Sequence, residues 1–245
     1  MLKSVIKCGF AAVLCLCVFA KQSFSAGAID PQLNSYVEAS DQFLNILKST
    51  AQSTEPFSVR AEKLRVAIEE RFDYKYVAQL TFGSISSGSL SDEFAGKKVW
   101  NLASDEQKKQ FMDVTLRYMA TSMADRFNKA INITPAQNGM AQAKSVTIRY
   151  NIVKSDSTTI TLDFSFKKPA ADSNEVLKVA DMRAQGASET LVRSQENSSF
   201  IKNHIKQNKE QNPTKSEAEL VSQAIDALIA EVEKLVQKQY AANPN

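Results

Sequence analysis

Residues 146–166 read VTIRYNIVKSDSTTITLDFSF, and this stretch decides which fold the chain can adopt. Large apolar side chains alternate with polar ones in both halves, and successive side chains of a strand point to opposite faces of a sheet. Ser155-Asp156-Ser157 between the two halves is typical of a turn. The stretch therefore predicts a hairpin of two half-buried strands. Its apolar face would consist of Val146, Ile148, Tyr150, Ile152, Ile160, Leu162, Phe164 and Phe166.

The segments on either side of this hairpin extend it into a sheet. A third strand is predicted over about 176–185, after a turn at 169–174, and a short strand around 131–134 precedes the hairpin. Because these strands are connected by turns rather than by crossover helices, the sheet should be mostly antiparallel. One face of this curved sheet is apolar and must be covered by helices.

Helical periodicity covers most of the remaining chain. Capping boxes mark two of the helices, because Ser104 is followed by Gln107 and Ser216 by Glu219. The helix that begins at Ser104 has an unusually wide apolar face, rich in methionine. The predicted helical ranges are 32–50, 56–72, 74–82, 104–130, 188–205 and 216–240.

Two polar segments interrupt these patterns. Residues 83–98 carry three glycines among serines, which indicates a flexible surface loop, with a functional lid as the alternative. Residues 206–215 are polar, include Pro213 and are interpreted as a second loop. The chain as a whole is predicted to be an α+β protein.

The first 26 residues have the composition of a secretory signal peptide. A positive start with Lys3 and Lys7 precedes an apolar run over 8–20 and then small residues. That run is too short to span a bilayer, which takes about 20 residues. We therefore expect a signal peptide over 1–26 and one domain over 27–245. That domain would be mainly helical over 27–130, a sheet over 131–186 and helical again over 187–240.

Removing this leader would change the chemistry of the chain. Cys8, Cys15 and Cys17 all lie within it, so the exported chain would have no disulfide, thiolate metal site or cysteine nucleophile. The full sequence has 30 basic and 27 acidic residues, and the leader holds three lysines and no acid, which leaves 27 of each. A neutral chain argues against broad electrostatic binding to nucleic acid.

The sequence offers few residues for catalysis. His204 is the one histidine, no Gly-x-Ser-x-Gly motif or glycine-rich phosphate loop is present, and too few histidines remain for a zinc site. Asp163 and Asp181 lie in predicted strands, where an ionised group is costly unless it is paired. They could act as a catalytic base, or they could face solvent or pair with Arg149 or Arg183.

Several motifs, in this order and spacing, resemble the MlaC family of periplasmic phospholipid-binding proteins, also called the toluene-tolerance family. The resemblance covers roughly residues 33–236. In the first half it is carried by Phe72-Asp73-Tyr74, Leu80-Thr81-Phe82-Gly83, Trp100, Ser104-Asp105-Glu106-Gln107-Lys108 and Phe111. In the second half it is carried by the two hairpin strands, Val179-Ala180-Asp181-Met182, Gln185-Gly186-Ala187-Ser188 and Ile225-Asp226-Ala227-Leu228.

This resemblance implies an NTF2-like cone with an added helical subdomain, in a protein from a Gram-negative source. It implies a non-enzymatic, cofactor-free carrier that holds the acyl chains of a phospholipid in an apolar cavity. Its partners would be an inner-membrane transport complex containing an MCE-domain protein and an outer-membrane lipoprotein complex. The transport between them would maintain the lipid asymmetry of the outer membrane. The chain is expected to act as a monomer. Residues 84–96 and 207–215 resemble insertions relative to the family, and Leu177 and Ala187 depart from its usual residues.

The predicted lipid-binding residues come from the wide apolar helix, the inward face of the strands and the following helix. They are Tyr118, Met119, Met123, Phe127, Ile148, Tyr150, Ile152, Leu162, Phe164, Phe166, Val179, Leu191 and Val192. Two alternatives stay open at this point. An enzyme of the same fold would have a shallow pocket ending at Asp163 or Asp181, and an exported interaction module would have a solid core.

Overall fold

The computed structural model describes residues 29–86, 90–127, 131–169 and 176–244. The predicted signal peptide and most of the predicted turn at 169–174 lie outside the described residues. After a 3-10 turn at Pro31–Leu33, the helices are α1 (Asn34–Ala51), α2 (Phe57–Arg71), α3 (Tyr74–Thr81), α4 (Val99–Leu102), α5 (Asp105–Arg126), α6 (Glu189–Gln211) and α7 (Glu217–Ala242). The strands are β1 (Ile131–Ile133), β2 (Asn138–Ala141), β3 (Ser145–Lys154), β4 (Thr159–Lys167), β5 (Val179–Ala184) and β6 (Ala187–Ser188).

The predicted hairpin is confirmed as β3 and β4. The two strands pair antiparallel, with Ile148 opposite Phe164 and Tyr150 opposite Leu162. Side chains at alternate positions of β3 are buried, and Ile160 at the start of β4 is half-buried. The period-2 pattern therefore gave the correct faces for both strands.

The rest of the sheet is also antiparallel within the described residues. β1 and β2 both pair with β3 on the side away from β4, and the order continues through β4 and β5 to β6. The sequence did not predict β2. The strand expected over 176–185 is shorter and corresponds to β5. A tight turn at Gln185 and Gly186, which both have positive φ, follows it and leads to β6, which the sequence also did not predict. The α+β class and the mostly antiparallel, curved open sheet are confirmed.

Helix α1 covers the apolar face of the hairpin. Its Phe43 is fully buried and meets the rings of Phe72 and Phe164 edge-on, with centroids 4.9 and 6.0 Å apart. The hydroxyl of Tyr150 donates to the Val37 carbonyl at 3.3 Å, and burial raises the pKa of this phenol. These residues belong to a first hydrophobic cluster, which also includes part of α2 and the second half of α5.

A second hydrophobic cluster lies among α3, α5, α6 and α7. Phe82 after α3 stacks on Phe111 of α5, with ring centroids 3.9 Å apart. Arg117 of α5 donates to Glu233 of α7 at 2.6 Å, and this hydrogen bond lowers the pKa of Glu233. Helix α5 thus contributes to both clusters, which explains why its apolar face is so wide.

The two predicted loops differ from expectation. Ile85 and Leu90 are buried in the second cluster, so residues 83–86 and Leu90 are packed against the core, whereas most residues of 91–98 are exposed. Gly83 has a φ of +90° and lies so close to α6 that an added Cβ would be 2.7 Å from the Ser198 hydroxyl. Helix α6 continues to Gln211, so the loop predicted over 206–215 begins at Asn212, six residues later than expected.

The capping box of α5 allows a direct test of its contribution to stability. Ser104 accepts from the Gln107 backbone N–H at 3.1 Å, and the Gln107 side chain accepts from the Ser104 N–H at 3.0 Å. Ser104→Ala should lower the free energy of unfolding by about 1 kcal/mol, because a helix-end N–H loses its acceptor. Urea denaturation measures this change. Ser104→Asp keeps an acceptor and should recover most of the loss, and equal losses in both variants would contradict the capping role.

Candidate functional site

The candidate site is a pocket between α5, α6, α7, α3 and β5. It has about 800 Å³ of space not filled by protein atoms, and part of that space is open to solvent. It lies between the two hydrophobic clusters, so each cluster supplies part of its wall. The apolar residues of the wall are Phe72, Val77, Phe111, Met119, Met123, Met182, Val232 and Leu235.

One face of α5 forms the long side of the pocket. Thr115, Met119 and Met123 are spaced one helical turn apart, as are Met119, Ser122 and Arg126, and all five residues line the pocket. The capping box at the start of α5 and the ion pair with α7 hold this helix in place. The face changes from apolar to polar towards its C-terminal end, so the pocket has an apolar part and a polar part.

The polar part is crossed by two links between α5 and α6. Arg126 donates to the Glu189 carboxylate at 2.5 Å. Arg193 donates to the Tyr118 hydroxyl, and its guanidinium carbon lies 4.5 Å from the centre of the Tyr118 ring. Arg126 is exposed and Glu189 and Arg193 are half-buried, whereas Phe72 and Phe111 are fully buried. The charged residues therefore mark the open side of the pocket.

Asp181 of β5 also lies at this open side. Its carboxylate accepts from the Ser188 hydroxyl at 3.1 Å and pairs with Arg183 at 3.4 Å. Ser188 in turn caps α6 by accepting from the Leu191 N–H. Asp181 thus fixes the start of α6 relative to β5, and this provides a structural reason for a carboxylate at this position.

Comparison with known proteins places the chain in a family. The MlaC protein family model matches residues 37–213. The chain belongs to the MlaC family.

A solved structure with a similar fold is the phospholipid-binding protein from Ralstonia solanacearum, determined in complex with a phospholipid. It is 17% identical to this chain, with a TM-score of 0.49, and the match covers 82% of this chain and 97% of that one. No curated protein matches the chain.

The structure places the predicted lipid-binding residues in three different environments. Tyr118, Met119 and Met123 line the pocket of this MlaC-family protein. Leu191 and Val192 lie on the outer side of α6, with 58% and 42% of their surface exposed. The remaining predicted residues are buried in the first cluster, where the protein's own side chains pack against them. They are Phe127, Ile148, Tyr150, Ile152, Leu162, Phe164, Phe166 and Val179.

Sequence reasoning missed much of the actual wall. Thr115 and Ser122 lie one turn from Met119 on the same helix face, so helical spacing alone could have found them. Val232 and Leu235 of α7 lie in the helix predicted over 216–240, and no signal in the sequence connects them to α5. Thr190 had no sequence signal that would connect it to α5.

Asp163 and His204, considered above for catalysis, lie outside this pocket. Asp163 is buried and accepts two hydrogen bonds from Arg149, at 2.7 and 2.8 Å, which raise the pKa of that arginine. His204 stacks on Phe200 at 6.0 Å, and its Nδ1 is 3.0 Å from the Asn208 amide.

Among the described residues, no group of three or more His, Cys, Asp or Glu side chains could hold a metal ion. No helix in the described ranges has the length and apolar character to cross a membrane.

Proposed function

We propose that this protein is a periplasmic carrier that holds the acyl chains of a phospholipid in the pocket beside α5. The observation that carries this proposal is an apolar pocket with one polar, open side in a member of the MlaC family. The bound phospholipid of the Ralstonia solanacearum protein agrees with this assignment. A pocket of this kind fits an amphipathic ligand, whose tails need an apolar wall and whose polar region needs water or hydrogen-bonding groups.

The need for a carrier follows from the cost of exposing acyl chains to water. Each buried methylene contributes about 0.8 kcal/mol, so two chains with about 30 methylenes would cost on the order of 25 kcal/mol to expose. Free diffusion across an aqueous compartment is therefore negligible. A carrier has to replace the water around the tails, and it needs no chemistry to do so.

The wider role that we propose is the shuttle expected of the family. The chain would be exported by its 1–26 signal peptide and cleaved. It would then carry lipid as a monomer between an inner-membrane MCE-domain complex and an outer-membrane lipoprotein complex. Membership of the MlaC family supports this role and favours a binding protein over an enzyme. The carboxylates at the pocket, Asp181 and Glu189, each have a structural partner, which fits positioning better than catalysis.

Lipid content is the direct test of the proposed function. The full chain, expressed with its own leader in a Gram-negative host and purified from the periplasm without detergent, should contain about one diacyl phospholipid per protein. Mass spectrometry of the solvent extract measures this, and protein delipidated by unfolding serves as the control. A protein that is empty when purified and also takes up no lipid from phospholipid vesicles would refute the proposal. Retention of the chain in the cytoplasm would refute its predicted location.

A further inference from the structure

Three hydroxyl groups in the wall of the pocket have no hydrogen-bonding partner among the described residues. They belong to Thr115 and Thr190, each 8% exposed, and to Ser122, 9% exposed. In the described part of the chain, the one fully enclosed side-chain polar atom without a partner is Nε of Arg71. The three hydroxyl oxygens therefore keep some accessible surface, and all three residues line the pocket.

Most other buried hydroxyls in the described helices bond to the backbone, and Thr50 of α1 is the exception. Ser40 donates to the Tyr36 carbonyl at 2.8 Å, and Thr121 donates to the Arg117 carbonyl at 2.9 Å, one turn earlier in each case. This backbone bond is the usual way for a helical serine or threonine to satisfy its hydroxyl. A buried polar group without a partner is costly, so the pocket hydroxyls are suited to a partner that comes from outside the chain.

The charges around these hydroxyls are balanced. Arg126 pairs with Glu189 at 2.5 Å, Arg193 with Glu196 at 2.7 Å, and Arg183 with Asp181 at 3.4 Å. Each positive group on the open side thus has a carboxylate beside it. This arrangement disfavours an anion as the main polar contact. The hydroxyls of Thr115, Ser122 and Thr190 are neutral donors, which match neutral acceptors such as carbonyl oxygens.

Two of the three hydroxyls belong to residues beside the links between α5 and α6. Ser122 lies one turn from both Tyr118 and Arg126 on α5, and Thr190 lies between Glu189 and Arg193 on α6. The links Arg126–Glu189 and Arg193–Tyr118 therefore bracket the pair. Thr115 is seven residues before Ser122, about 10 Å along the axis, and cannot reach the same oxygen.

We propose that Ser122 and Thr190 donate hydrogen bonds to the ester carbonyl oxygens of a diacyl lipid. This inference rests on the proposed function and names the chemical feature of the cargo that the pocket recognises. Ester carbonyls lie between the polar headgroup and the acyl chains. Ser122 and Thr190 occupy the matching position, between the charged open side and the apolar wall. The pocket should accordingly prefer ester-linked lipids over ether-linked lipids with the same headgroup.

A competition experiment tests this preference. Delipidated full-length protein is incubated with vesicles that contain equal amounts of diacyl and dialkyl phosphatidylcholine with saturated chains of equal length. The protein is then separated from the vesicles, and both lipids are quantified by mass spectrometry with isotopic standards. The headgroup and the chains are matched, so the ratio reports the carbonyl contacts. We expect about tenfold enrichment of the diacyl lipid, because each neutral hydrogen bond changes affinity by a factor of roughly three to ten.

The double variant Ser122→Ala/Thr190→Val should still take up lipid but should bind the two lipids equally. Thr50→Val is the matched control, because Thr50 is a buried threonine of α1 outside this pocket, and it should keep the wild-type ratio. Equal uptake of both lipids by the wild-type protein would overturn the ester site, and so would an unchanged preference in the double variant. Either result would leave the proposed carrier function standing. Uptake of neither lipid by the wild type would overturn both proposals. If the double variant does not fold, the wild-type ratio alone decides.

Discussion

Replacing Met119 with tryptophan should yield a folded protein that is nearly free of lipid. Met119 is half-buried and lies in the middle of the α5 face that lines the pocket. The indole ring would occupy space in which an acyl chain would otherwise lie, and lipid per protein should fall at least tenfold. Stability should change by less than about 1 kcal/mol, since the larger ring enters existing space instead of a close-packed core. Mass spectrometry of extracted lipid and urea denaturation measure the two quantities.

Lys109→Trp is the matched control for this variant. Lys109 lies on the exposed side of the same helix, so the same ring is added to α5 without entering the pocket. This control should keep its full lipid content. If Met119→Trp keeps full lipid content as well, the acyl chains lie elsewhere, and the hairpin face becomes the next candidate.

Phe43→Ala should cause the largest loss of stability of the substitutions considered. Phe43 is fully buried and contacts two aromatic rings, one from the end of α2 and one from β4. Truncation removes these contacts and leaves a cavity between helix and sheet, which should cost about 3–5 kcal/mol. That is a large fraction of the total for a typical domain, about 5–15 kcal/mol. Urea denaturation of delipidated protein measures the loss without a contribution from bound lipid.

Asn45→Ala on the exposed side of α1 is the control for this second substitution, and it should change stability by less than about 0.5 kcal/mol. A loss below 1 kcal/mol for Phe43→Ala would mean that α1 is not the main cover of the sheet. In that case the hairpin face would be available to a ligand, as its apolar alternation predicts.

The parts of the fold that could be predicted from sequence are those set by local periodicity. The alternation over 146–166 determined both hairpin strands and their faces, and the capping boxes fixed the starts of α5 and α7. β2 was missed because Asn138–Ala141 is short and lacks alternation, and its pairing with β3 depends on the tertiary fold. The C-terminal extension of α6 was missed because its polar turns are exposed and have no apolar stripe.

The site was harder to predict because burial and ligand contact have the same signature in sequence. Ile148, Tyr150 and Phe164 had to be covered by something apolar, and periodicity could not distinguish α1 from an acyl chain. Met119 and Met123 were found because the apolar face of α5 is wider than one packing contact requires. Leu191 and Val192 are apolar residues of the helix that follows the strands, and their place on the outer side of α6 depends on how that helix is rotated.

The location of the pocket between two separately packed clusters has a mechanical consequence. A void inside a single close-packed core can grow only if neighbouring side chains change rotamer, because such interiors resist compression. A seam between two packed bodies can widen while each body keeps its own contacts. Helix α5 contributes to both clusters and would form the side of the pocket along which the two clusters move apart. In the proposed carrier, tails of different length and saturation could then be accommodated by the width of this gap, with no repacking of either cluster.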